Sequence, residues 1–128
     1  MRLASLFTVF FLGLTTITMA EEVTPLTPAE ASKKINEKVT VEFPVKSTGG
    51  KENHYLNSEP NYMDAKNFTI FISVDYLDKF KKVDIESPME YYKDKTIRVT
   101  GTVVLEKQKP WIKITEPDQI KVVTKEKK

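Results

Sequence analysis

The chain alternates apolar and polar residues over three separate stretches, and no other feature limits its fold as tightly. From Val39, the residues Val39, Val41, Phe43 and Val45 fall on one face and Thr40, Glu42, Pro44 and Lys46 on the other. A period of two is that of a strand with one buried face. Residues 67–74 repeat it, with Phe68, Ile70, Ile72 and Val74 inward and Asn67, Thr69, Phe71 and Ser73 outward. Residues 96–105 do so again, with Ile97, Val99 and Val103 inward and Gly101 expected to mark a bulge or sharp bend. Two shorter strands are expected at 55–57, after a turn over 47–51, and at 111–115, after a turn over 106–110. Residues 119–123 would extend the edge.

Helical patterning fills two gaps. Thr27, Pro28 and Glu30 form the signature of a capping box with Pro at the first helical position, so a short helix should run to about Ile35. Between Asp75 and Lys95 the alternation stops, and Leu77, Phe80 and Val83 recur at helical spacing behind a possible Asp75 cap. Ser87-Pro88-Met89-Glu90 repeats the capping-box pattern. One domain over 24–123 is expected from a chain of 128 residues, with a disordered lysine-rich tail at 124–128.

The first 20 residues read as an export signal. Arg2 precedes an apolar run over 3–14, and Thr18-Met19-Ala20 stands before Glu21-Glu22 as a small-residue cleavage site. An uncleaved anchor is the alternative, but the run falls short of the roughly 20 residues that a bilayer requires. Cleavage after Ala20 would leave 19 basic against 18 acidic groups, a net charge of +1. A secreted or periplasmic chain with no membrane span is the expectation. Its near-neutrality excludes a charge-driven coat on duplex DNA.

Three strands, a helical segment and two strands, in that order, point to an all-β fold with short helices: the five-stranded OB barrel, here with an N-terminal helix and a helical segment between strands three and four. The runs 67–72, 91–103 and 112–120 give the detail, with Val99-Thr100-Gly101 in strand four and Asp118-Gln119-Ile120 at the close. In these residues the chain resembles the small bacterial OB-fold domains of the nucleic-acid-binding type, over about 29–123. Some relatives in that group are exported and some sit beside thermonuclease-like domains. The resemblance implies a fold and leaves the ligand to be argued from the exposed face. Two departures bear on the ligand: Ser73 stands where relatives carry an aromatic, and Glu106-Lys107-Gln108-Lys109 has no glycine.

On the expected parity the outward residues include Lys46, Tyr55, Asn57, Phe71, Trp111 and Lys113, the candidate ligand-binding set. Rings interleaved with amines suit a single strand of nucleic acid, because bases stack on rings while ammonium groups follow phosphates. The competing reading makes Tyr55 and Phe71 a cross-strand pair and Trp111 a cover for the barrel end. Glu42, placed on the same face, would repel phosphate. The loop amines Lys51, Lys66, Lys107 and Lys109 either lengthen a basic edge or guard a solvated one.

Catalytic patterns are poor. There is no cysteine, and a single histidine, His54, read as a surface residue, cannot form a multi-histidine metal site. Asp75 with Asp78, and Asp84 with Glu86, read as caps and solvated charge. No glycine-rich phosphate loop and no nucleophile-elbow motif occurs. After leader removal Arg98 is the only arginine, too few for a nuclease built on an arginine pair. The Asn67-Phe68-Thr69 sequon reads as unmodified, because Phe68 is expected to be buried in a central strand. The chain therefore reads as a monomeric, non-enzymatic binding module without cofactor or metal. Its partner is single-stranded nucleic acid or, alternatively, an envelope protein or oligosaccharide.

Overall fold

A bend in the first strand lets the sheet close on itself. The computed structural model describes residues 24–124, so the leader and residues 125–128 of the tail lie outside the described residues. After a four-residue helix, α1 (Pro28–Ala31), come seven strand segments: β1 (Lys38–Pro44), β2 (Ser47–Gly49), β3 (His54–Asn57), β4 (Thr69–Ile72), β5 (Thr96–Glu106), β6 (Lys109–Ile114) and β7 (Ile120–Val122). Along the hydrogen-bonded path they run β1-β5-β6-β4-β3-β2, with β7 on β5. The segments β1 and β2, almost continuous in sequence, sit at opposite ends of that path. One bent strand therefore joins both ends of the sheet, making the OB barrel with β4 and β6 in parallel register.

The bend has a local cause. Both Lys46 and Ser47 face Asn57: Lys46 donates its amide to the Asn57 carbonyl at 3.0 Å, and Ser47 is the register partner of Asn57. Two residues opposite one is a β-bulge, which turns the strand and reverses its parity. Val45 accordingly points into the core while Ser47, two residues on, points away from it.

The core follows the alternation. Val41, Phe43, Ile70, Ile72, Ile97 and Ile112 are buried, with Phe43 and Phe68 in ring contact at 6.3 Å. Several boundaries differ from expectation. The first helix closes its Thr27/Glu30 capping box but ends at Ala31, and Asn36, at φ 69°, redirects the chain into β1. The turn expected over 47–51 is displaced past Gly49, because Ser47–Gly49 still pairs with β3. The second alternating run, 67–74, is a strand only over Thr69–Ile72. Val74 is exposed, in a 3-10 turn capped by Ser73 rather than Asp75. This turn runs into α2 (Leu77–Lys81), which buries Phe80 and leaves Val83 exposed beyond its end. In α3 (Pro88–Tyr91) Ser87 makes no side-chain cap. The β5–β6 turn contains only Lys107 and Gln108, so β6 starts at Lys109 and ends one residue before Thr115. The terminal edge strand is likewise shorter than expected, beginning after a 3-10 turn at Pro117–Gln119.

Gly101 marks no bulge, since β5 keeps one register with β1 from Thr96 to Thr102. Its reason is proximity: a Cβ there would lie 2.5 Å from Ile112 Cγ2. Next to it, between the stretches of β5 that pair with β7 and with β6, the Gln119 side chain replaces the ladder. Its Nε2 donates to the Thr100 carbonyl at 2.9 Å, while Oε1 accepts from the Thr115 and Glu116 amides at 2.8 and 3.0 Å.

Candidate functional site

Register places three rings on the outer face of the central strands. Tyr55 on β3 lies opposite Phe71 on β4, and Trp111 on β6 is the parallel neighbour of Thr69. Ring centroids are 5.3 Å apart for Tyr55–Phe71, 5.7 Å for Tyr55–Trp111 and 5.1 Å for Phe71–Trp111, the last pair stacked at 25°. All three rings are half-buried. They form one platform, with Trp111 stacked on Phe71. The competing cross-strand pair exists, and it is part of the platform.

A cleft of about 630 Å³ opens beside Tyr55 and Trp111. Its walls are β2 with Gly50, the hairpin residues Glu106, Lys107 and Lys109, and the 58–66 loop through Pro60, Tyr62 and Met63. Thus the β2–β3 turn and the β5–β6 hairpin flank a face built on β3 and β4, the position at which OB barrels take oligonucleotides and oligosaccharides.

A buried polar cluster fixes the loop wall. Asn67 is 2% exposed. Its Nδ2 shares two protons among Asn57 Oδ1 at 3.2 Å, the Tyr62 carbonyl at 3.2 Å and Thr69 Oγ1 at 3.1 Å, and its Oδ1 accepts from the Glu59 amide at 3.1 Å and Ser58 Oγ at 3.5 Å. Asn57 continues the cluster, donating to Ser47 Oγ at 3.3 Å and accepting from Thr69 Oγ1 at 3.0 Å. From the hairpin side, Lys109 Nζ donates to the carbonyls of Met63 and Asp64 at 3.1 and 3.3 Å. The loop backbone is thereby held from two sides, while the Tyr62 and Met63 side chains stand free, 64% exposed each.

The six expected site residues are distributed as follows. Tyr55, Asn57 and Trp111 line the cleft, and Phe71 packs behind Trp111. Asn57 faces away from the core, but it is 4% exposed and its amide is spent within the cluster. Asn67 and Thr69, expected at the solvent-facing side, are buried by the same loop. Lys113 pairs with Glu106 at 2.6 Å, and Lys46 lies at the bulge outside the cleft lining. Glu42 is removed from the rings, held by Arg98 through Nε at 3.0 Å and NH2 at 2.8 Å.

His54 is buried rather than on the surface, and its Nδ1 accepts the Met89 amide at 3.2 Å, tying α3 to β3. Burial lowers its pKa below 6.5, against a weaker upward pull from Glu90. Burial likewise pushes the Tyr92 phenol up to about 12, with the Tyr91 phenol adding to it. No group of three or more His, Cys, Asp or Glu side chains suited to a metal occurs among the described residues, and no described helix is long and apolar enough to cross a membrane. Sequence reasoning missed Pro60, Tyr62 and Met63. Their one signal was a ring and a thioether in an otherwise polar loop.

No protein-family model and no curated protein sequence matches the chain. Solved structures do. An aspartyl-tRNA synthetase from Entamoeba histolytica aligns over 87% of this chain and 24% of its own, at 12% identity and a TM-score of 0.52. An asparaginyl-tRNA synthetase from Pyrococcus horikoshii aligns over 80% and 23%, at 11% identity and 0.53. An OBody bound to hen egg-white lysozyme aligns over 84% of this chain and its whole length, at 18% and 0.54. The chain therefore spans about a quarter of the synthetases it matches. At these identities the likeness shows the OB fold alone.

Proposed function

We propose that this chain is an exported, monomeric, non-catalytic binding module whose cleft takes single-stranded nucleic acid weakly and without sequence preference. The observation that carries this reading is the Tyr55–Phe71–Trp111 platform, with centroids 5.1 to 5.7 Å apart, beside a cleft at the ligand face of an OB barrel. Exposed ring faces stack bases of any identity. The floor favours this indifference: Ser47, Asn57 and Thr69 spend their polar groups on one another and on the loop, leaving little with which to read a base edge. The expected near-neutral charge makes the binding weak.

Trp111 is the only tryptophan, so its emission reports the cleft directly. A deoxythymidine oligonucleotide should quench it saturably at low salt, and Tyr55→Ala should weaken binding by about 1–3 kcal/mol at an unchanged salt slope. Absence of binding at low salt, where phosphate attraction is strongest, overturns the reading. The same preparation tests export, because a mass beginning at Glu21 in the secreted or periplasmic fraction is expected and a full-length cytoplasmic product refutes it.

A protein contact is the second reading. The exposed Tyr62 and Met63 side chains favour it, since apolar groups on a rigid loop are contact points for a partner surface. The OB scaffold of the lysozyme-bound OBody is a parallel.

A further inference from the structure

The charges around the cleft limit how much of a strand it can hold. Two cations line it, Lys107 and Lys109. The Lys109 ammonium is committed to the loop carbonyls of Met63 and Asp64, and the nearby Lys113 ammonium to Glu106. Lys107 alone among the lining cations has no acidic or carbonyl partner among the described residues. It stands at φ 53° on the hairpin tip, beside Glu106, which also lines the cleft and would oppose a second phosphate. Tyr62, which also lines the cleft, is an exposed ring on a backbone clamped through the Tyr62 and Met63 carbonyls. A ring entering the cleft meets Tyr55, Trp111 and Tyr62 on its lining.

Resting on the base-binding reading above, we infer that the cleft grips a single nucleotide, its base held between the Tyr55/Trp111 platform and Tyr62 and its phosphate at Lys107, rather than tracking a strand across the sheet. The recognised chemistry is one planar ring with one phosphate, presented by a strand end or by one splayed nucleotide. OB barrels that track a strand hold roughly 4–16 nucleotides and show steep salt dependence. This cleft has the cations for one contact.

The test uses Trp111 emission with three probes: thymidine 5′-monophosphate, a tetranucleotide and a dodecanucleotide of deoxythymidine. The inference expects all three to bind within about threefold of one another once the number of registers is counted. The slope of log affinity on log salt should be about −0.7 for the oligonucleotides, the value for one phosphate on a single strand, and near zero for Lys107→Ala. Tyr62→Ala should weaken all three about tenfold while Tyr62→Phe binds as wild type, because a stacked ring is worth that much. Urea midpoints equal to wild type would confirm that these surface variants stay folded. Oligonucleotides that bind while the monophosphate does not, a slope steeper than about −2, or a silent Tyr62→Ala would each overturn the single-nucleotide grip and leave base binding standing. Failure of every probe removes both.

Discussion

Replacing Asn67 by alanine tests whether the cleft wall is held by the buried polar cluster. The substitution removes the hydrogen bonds to Oδ1 from the Glu59 amide at 3.1 Å and Ser58 Oγ at 3.5 Å, and those of the two Nδ2 protons shared among three acceptors at 3.1 to 3.2 Å. Two of the orphaned partners, the Glu59 amide and the Tyr62 carbonyl, belong to the loop and can recover water as it loosens. The other three are buried: Asn57 Oδ1, which keeps its bond from Thr69, Thr69 Oγ1, and Ser58 Oγ, which keeps its bond from the Phe68 amide. At about 1 kcal/mol per bond, with partial recovery in the loop, the expected loss is about 3 kcal/mol. Asn67→Asp should cost more at neutral pH, because it keeps the acceptor for Glu59 but turns an anion toward Asn57 Oδ1 and the Tyr62 carbonyl. Urea unfolding followed by Trp111 emission gives the free energies, and amide exchange at Glu59 and Phe68 locates the loosening. With Asn57→Ala, the double variant should lose about 1–2 kcal/mol less than the two singles together, since the pair shares a bond. A loss under about 0.5 kcal/mol for Asn67→Ala, or an Asn67→Asp variant as stable as wild type, would refute the reasoning.

Further expectations come from single contacts. Gly101→Ala puts a methyl 2.5 Å from Ile112 Cγ2 and should destabilise the barrel by about 1–3 kcal/mol; a neutral urea midpoint would show that β6 yields. Burial holds the folded pKa of His54 below 6.5, so the unfolded chain takes up the proton first as pH falls. Stability should therefore decline below pH 6.5, level off at the folded pKa, and lose this slope in His54→Gln; identical profiles for the two proteins would refute it. Gln108 sits at φ 69° in the β5–β6 hairpin, and Gln108→Gly should raise stability by about 1 kcal/mol in the same urea assay. An unchanged or lower midpoint would show that the glutamine side chain stabilises the turn.

The inward residues were legible because burial selects for period two. Phe43, Phe68, Ile70, Ile97 and Val99 all lie where alternation puts them, and the barrel follows from their order. Strand ends were less so, because a strand stops where its partner does: Val74 fits the pattern of residues 67–74 but has no ladder neighbour. Among site residues, the rings were found by the same parity that found the core. Asn57, Asn67 and Thr69 were misread for a common reason: outward from the sheet was equated with solvent, whereas a loop covers that side. His54 was assigned to the exposed hairpin, whereas it is the first residue of β3, on the inner face opposite Ile72 and covered by α3. A single sequence records parity along a strand but not which distant segment folds over it.

The bent first strand also sets when the protein can come into being. Lys38 pairs with Thr102 and Pro44 with Thr96, whereas β3 and β4 join within one hairpin. Contacts that far apart in sequence demand loop closure before any stabilisation returns, which slows folding. A chain interrupted before β5 lacks ring closure, Trp111 and the hairpin lysines, although Tyr55, Phe71 and the 58–66 loop lie within β2–β4, so the cleft is left open on its β5–β6 side. That side, with Trp111 and the hairpin lysines, is added only when the last strands are in place.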